Sequence, residues 1–269
     1  MFLIQSIIVP VDFSPCSINA LQYAAAIALK FDASVRLLFV NNKSTGTVVN
    51  GRKVDAEDAL KELRSAPYFA NIKTQSTVSQ GSVAKEILVA QTGFKADLIV
   101  MGTLGANKVN RKIFGTNTAN VIQNAHCPVW AVPEGKSFSS INKIAFATDM
   151  KNSNLELANE FTVIAGKLES EIQFLHVDIE GHYKKETVYK LDQAMKKIRE
   201  FVDFKKITMH LSTHHKVTDG INSFVRKNKP DLLVMVNHKR NLLQSIYETS
   251  QTREIVNYTN TPLLALPLV

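Results

Sequence analysis

IALKFDASVRLLFV, residues 27–40, recurs as IAGKLESEIQFLHV at 164–177. An offset of 137 sets Ile27 on Ile164, Lys30 on Lys167, Leu38 on Leu175 and Val40 on Val177, and it also sets Asp12 on Asp149. Further along, KADLIVMG (95–102) matches KPDLLVMV (229–236), and CPVWAVP (127–133) matches TPLLALP (261–267), now at an offset of 134. The offsets differ by three residues, which is one small deletion inside the second copy. Self-similarity sustained over such a length marks a duplicated unit. The 269 residues therefore divide into 1–137 and 138–269, with the join near EGKSFSS (134–140).

Each copy alternates short apolar runs with amphipathic stretches. In the first copy, SIIVPVD (6–12) is a strand closed by a carboxylate, and 17–31 carries helical spacing through Leu21, Ala24, Ala25 and Ala28. Strands follow at 35–40, 71–78, 97–102 and 128–132, with helices expected at 53–65, 82–92 and 116–125. Strands alternating with helices predict an α/β fold of parallel βαβ units, two tandem five-stranded sheets with helices on both faces. Unbroken apolar runs, LIVM (98–101) and LLVMV (232–236), suit central strands covered on both faces, and the polar run at 71–77 suits an edge. With the first and fourth strands central, the switch point between them is where a ligand binds, and Asp12 and Gly102 end those two strands.

The segment leaving the fourth strand reads MGTLGANKVNRKIFGT (101–116), a G-x₂-G-x₉-G-T spacing through Gly102, Gly105, Gly115 and Thr116. Glycines let backbone approach a phosphate, and Thr116 is the expected N-cap of the next helix, whose free N–H groups and dipole favour an anion. Lys108, Arg111 and Lys112 add positive charge between the glycines. Neither a Walker A loop nor the G-x-G-x-x-G dinucleotide fingerprint is present.

On these motifs the chain resembles the universal stress protein family in its tandem, two-domain form. The resemblance implies an adenine nucleotide alpha-hydrolase-like fold, strand order 3-2-1-4-5, and ATP, with or without magnesium, in the crevice of the first copy. Carried over by position, Asp12 would meet the ribose or adenine, and Pro10, Val40 and Met101 would line the nucleoside pocket. Gly102, Gly105, Gly115 and Thr116 would cradle ribose and phosphates, with Asn117 next in line. The second copy departs from the pattern: Val236, Lys239 and Thr249 stand where the glycines stood, and Ser250 replaces Thr116. It keeps Asp149 but is expected not to hold ATP and to serve a structural or regulatory role.

Composition narrows the field. Hydrophobic residues make 45% and charged residues 21%, with only 11 Gly and 8 Pro, so fibrous and low-complexity classes are excluded. No run approaches the ~20 apolar residues of a membrane span, and MFLIQSIIVPVDFS lacks the basic start of a signal peptide. A cytoplasmic protein with no membrane partner is expected. The net charge of +8 is spread over both copies, 14 Lys+Arg against 9 Asp+Glu in 1–137 and 18 against 15 thereafter. Dispersed charge of this kind reads as solvated surface, and no nucleic-acid partner is expected.

Two cysteines cannot form a disulfide framework or a four-thiolate zinc site. Cys127 reads as packing; Cys16, taken to lie in the loop after Asp12, is the better candidate for a reactive thiol. His210, His214 and His215 cluster without a metal motif, so a structural role is expected for them, and no metal ligand or catalytic residue is assigned. His176 belongs to a sheet face or pocket wall. PVWAV and PLLAL are expected to pair within the chain as a pseudo-dimer, with a homodimer and a protein partner left open. The leading reading is an ATP-binding stress-response protein. A slow ATPase or autophosphorylating enzyme, and a nucleotide-independent scaffold, stay open beside it.

Overall fold

The computed structural model describes residues 3–41, 47–49, 52–103, 115–135, 137–149, 152–179, 189, 192–193, 196, 207–237 and 261–268. The chain divides into two compact units, Leu3–Phe138 and Ser139–Leu268.

The N-terminal unit runs β1 (Ser6–Val11), α1 (Pro15–Phe31), β2 (Ser34–Asn41), β3 (Thr47–Val49), β4 (Arg52–Val54) and α2 (Ala56–Arg64). A 3-10 turn (Pro67–Phe69) leads to β5 (Thr74–Gln80), α3 (Val83–Gly93), β6 (Leu98–Gly102), α4 (Thr116–Asn124) and β7 (Val129–Val132). Its main sheet has the order β5-β2-β1-β6-β7, every pair parallel. Counting only these five strands, that is 3-2-1-4-5. The C-terminal unit repeats it with β8 (Lys143–Ala147), α5 (Asn152–Leu168), β9 (Glu171–Asp178), β10 (Ile207–Thr213), α6 (Val217–Asn228), β11 (Leu232–Asn237) and β12 (Leu263–Pro267). Its order is β10-β9-β8-β11-β12, again all parallel.

The core follows from the apolar runs. Ile7, Ile8 and Val9 of β1 and Ile99 and Val100 of β6 have no exposed surface, as strands covered on both faces require. Helix α1 lies on β1 and β6 through Ala20, Leu21, Ala24, Ala25 and Ala28, all buried. Alanines at these positions let the helix come close to the sheet, while full burial of Leu21 contributes about 1.5–3 kcal/mol. In the C-terminal unit Phe146 packs on Phe161 and Phe174, with ring centroids 5.6 and 5.3 Å away. Helix α6 closes the sheet there through Ile221, Phe224 and Val225 against Leu175, Val177 and Leu233.

Helix limits are set by caps. Ser14 accepts Ser17 N–H at 3.2 Å ahead of α1, with Pro15 in its first turn, and Asp32 ends the helix in the left-handed region at φ 55°. The helix expected at 53–65 begins instead at Ala56. Asp55 Oδ1 accepts the N–H groups of Glu57 and Asp58, at 2.8 and 3.2 Å, and so fixes the start. Residues 52–54 before that cap pair antiparallel with 47–49. The polar run expected at the sheet margin is β5, shifted to Thr74–Gln80, and it pairs within its unit only with β2.

Candidate functional site

In the N-terminal unit β1 and β6 are direct neighbours, so their carboxyl ends bring Asp12 and Gly102 to one edge of the sheet. Asp12 is exposed, and its Oδ1 accepts Ser14 N–H at 3.1 Å and Ser14 Oγ–H at 2.5 Å. The Asp12 side chain is thus oriented by the residue that caps α1. Phe13, between them, sits at φ 60°, an uncommon backbone state for a non-glycine, and its ring meets Phe39 with centroids 5.3 Å apart. Pro10 is half-buried; Val40 and Met101 are buried, 8% and 5% exposed.

The two described glycines of the motif differ. A Cβ built on Gly102 would stand 2.7 Å from Cys16 Sγ and 3.1 Å from the Cys16 backbone carbonyl. Gly102 is therefore demanded by the first turn of α1. Among the described residues a Cβ on Gly115 would meet only Thr103 O, at 3.4 Å, an ordinary contact, and the residue is extended at φ −60°. The packing of the described residues gives no reason for glycine there.

Gly115, rather than the expected Thr116, is the N-cap of α4. Its carbonyl accepts Ala119 N–H at 3.1 Å, and Thr116 already lies inside the helix. Among the described residues no side chain caps this end, and Thr116 and Asn117 are exposed on its first turn. Three bonds tie the region together: Thr118 Oγ1 donates to Gly102 O at 2.9 Å, Thr103 N–H to Val132 O at 2.9 Å, and Gly115 N–H to Thr103 O at 2.6 Å. Sequence reasoning missed Thr118 and Thr103. The available signal for Thr118 was a hydroxyl three residues after the motif's last glycine, about one turn into the helix. Gly105, Lys108, Arg111 and Lys112 lie outside the described residues.

Cys16 needs correcting. It is not a loop thiol at a crevice mouth but a residue of α1, 2% exposed, with Sγ 3.5 Å from Val132 O. The helix begins at Pro15 because Ser14 caps it, which draws Cys16 inward against Gly102. Cys127 is also buried; burial, and secondarily the negative charge of Asp97, push its thiol up to about 12.

The C-terminal unit presents a different sheet end. Val236, aligned with Gly102, is 4% exposed and is followed by buried Asn237. Asp149 follows β8 and is exposed. His176 is half-buried, with Nδ1 3.0 Å from Thr148 O. The ring of His210 lies 5.0 Å from Phe224, edge to face, with Nε2 3.1 Å from Thr208 Oγ1. His214 donates its backbone N–H to Asp178 O. Lys239, Thr249, Ser250, His182 and His238 lie outside the described residues. A cleft of about 340 Å³ lies elsewhere, between α2 and β5, lined by Lys61, Arg64, Ser76 and neighbours, and shares no residue with the strand-end site. Among the described residues no helix is long and apolar enough to cross a membrane.

Residues 4–133 match the family model described as the universal stress protein family. A universal stress protein of Methanocaldococcus jannaschii is 34% identical over 144 residues, 50% of this chain and 85% of that protein. One of Thermus aquaticus is 47% identical over 53 residues, 20% of this chain and 39% of that protein. Across 98% of this chain, the fold matches the crystal structure of a universal stress protein from Archaeoglobus fulgidus, covering 96% of it at a TM-score of 0.73 and 18% identity. A putative universal stress protein from Pseudomonas aeruginosa matches similarly, at a TM-score of 0.71 and 15% identity over 98% of this chain and 93% of that one. With a relative 34% identical along most of its length, the chain belongs to the universal stress protein family.

Proposed function

We propose that the N-terminal unit holds an adenine nucleotide, ATP, at the carboxyl ends of β1 and β6, and that its occupancy is read in a stress response. The observation that carries this reading is the room that the described residues leave at Gly115. A glycine that the packing of the described residues does not require stands at a helix N-terminus that no side chain among them caps, next to two exposed first-turn residues. Free N–H groups and the positive end of the helix favour an anion there, and a side chain on residue 115 would obstruct it.

The remaining contacts are laid out by chain position. Asp12, steadied by Ser14, meets the ribose or base. Pro10, Val40 and Met101 form the apolar wall. Thr116 and Asn117 face the phosphates, and Gly102 supports the floor by admitting Cys16. Gly105 belongs to the same set through the motif spacing. Magnesium, where present, would be held chiefly by the triphosphate and water, as it usually is in nucleotide sites. The C-terminal unit, with Val236 in the glycine position, serves as the nucleotide-free half.

Isothermal titration of ATP into the intact protein tests the reading. One ATP per chain is expected, lost in Gly115→Asp, whose carboxylate would fill the space and repel phosphate. Absence of binding by the wild-type protein would refute it, and two ATP per chain would refute the assignment of the C-terminal unit. Multiple-turnover phosphate release would shift the reading from a binding protein to an enzyme.

A further inference from the structure

We infer that Thr118 is a positioning residue for the phosphate end of this site, an inference that rests on the nucleotide reading. Thr118 is 3% exposed and sits in the first turn of α4, behind the exposed Thr116 and Asn117. Its hydroxyl does not cap its own helix. It crosses instead to β6, donating to Gly102 O at 2.9 Å.

That acceptor is held on other sides as well. Gly102 is fixed against α1 by its close approach to Cys16. The next residue, Thr103, donates its N–H to Val132 O in β7 at 2.9 Å and accepts Gly115 N–H at 2.6 Å. The peptide between Gly102 and Thr103 is therefore clamped to α1 and β7, and Thr118 fastens the start of α4 to that clamp. The Gly115 bond holds the helix from its cap, and the Thr118 bond holds it one turn deeper. Two attachments at different points along a helix fix its direction, whereas one leaves a pivot.

The consequence is chemical. Backbone N–H groups of a first turn favour an anion only in the direction they face, and a binding constellation works when held within about 0.5 Å. Thr118 touches no ligand itself; it sets where those N–H groups point before a phosphate arrives. Its loss should be felt by a ligand's phosphates and not by its nucleoside.

The test compares ATP with adenosine by titration calorimetry in the wild type, Thr118→Val and Thr118→Ser. Valine keeps the shape and removes the hydroxyl; serine keeps the hydroxyl. The expected result is ATP binding about tenfold weaker in Thr118→Val, adenosine binding unchanged, and ATP binding restored in Thr118→Ser. Equal weakening of both ligands, or of neither, overturns the positioning role while leaving the nucleotide reading intact. Wild-type protein that binds neither ligand defeats the nucleotide reading itself. If Thr118→Val does not fold, Thr118→Ala read against Thr118→Ser carries the same comparison.

Discussion

The carboxylate of Asp97 accepts the backbone N–H of Ser6 at 2.9 Å, and the same oxygen accepts Gln5 N–H at 2.9 Å. The C-terminal unit builds the same fork, Asp231 Oδ2 accepting Asn142 and Lys143 N–H at 3.0 Å each. The carboxylates are 134 residues apart in sequence and their donors 137, the two offsets seen in the repeat. In each unit the carboxylate before the fourth strand stitches that strand's start to the first, and so sets the register that brings the two strand ends together. Bonds from N–H to a carboxylate are among the stronger ones, so Asp97→Ala should cost about 1–3 kcal/mol and Asp231→Ala a similar amount. Denaturant titration of both variants measures it; a change in either below the noise of the titration would refute the fork's importance.

The glycines make a paired prediction. Gly102→Ala forces a methyl group to 2.7 Å from Cys16 Sγ and 3.1 Å from its backbone, and should destabilise the protein by about 1–3 kcal/mol. Among the described residues Gly115→Ala meets only an ordinary 3.4 Å contact at φ −60°, and it should leave thermal stability unchanged or slightly raised. Gly220→Ala in the C-terminal unit is a second crowded site, its methyl falling 2.5 Å from Val177 Cγ1, a stiff side chain inside the core. Melting curves of the three variants should order Gly115→Ala above the other two. Equal melting temperatures would mean that both crowded sites relax freely.

Much of this was legible in residues 27–40 and 164–177, because two copies of one pattern constrain each other. The left-handed helix ends at Asp32 and Glu169, φ 55° and 60°, lie 137 apart, and those at Lys95 and Lys229, φ 49° and 48°, lie 134 apart. Apolar runs marked the central strands because burial on both faces leaves no alternation to misread. What stayed hidden depends on a few tenths of an ångström. Motif spacing treats Gly102 and Gly115 alike, yet a Cβ on the first would run into Cys16, while among the described residues one on the second meets only Thr103 O at an ordinary 3.4 Å. Cys16 looked accessible because a cap two residues earlier, Ser14, could not be told from an ordinary loop serine. The hairpin of β3 and β4 was missed because its short strands adjoin a strongly amphipathic helix whose pattern runs into them.

His210 gives the protein a pH dependence of definite sign. Burial, and then the nearby positive charge of Lys227, lower its pKa, with Glu171 opposing. A histidine lowered on folding is held neutral in the native state, so its contribution is fully present above the ordinary value of 6.5. That contribution is lost as pH falls below 6.5 towards the folded value, since the unfolded chain then binds the proton first. Proton NMR of Lys227→Gln should show the His210 titration moving upward, and His210→Gln should flatten the acid limb of the stability curve. A downward shift in Lys227→Gln would contradict the assigned cause.

The two thiols should be silent in the folded protein. Cys16 is 2% exposed behind Gly102 and Cys127 is 7% exposed. With its pKa near 12, Cys127 at pH 8 carries roughly one thiolate in ten thousand, and only the thiolate attacks a disulfide reagent. An aromatic disulfide reagent at pH 8 should therefore react with neither residue until denaturant is added, and then with two per chain. The sign also follows for stability: a thiol raised on folding contributes below its ordinary value of 9.0 and loses that contribution as pH climbs towards 12. Asp97→Asn removes the secondary cause and should bring the Cys127 pKa down, while burial, the larger cause, keeps it above the ordinary range. Prompt native labelling of Cys127 in the wild-type protein would show that the start of β7 opens far more readily than its packing allows.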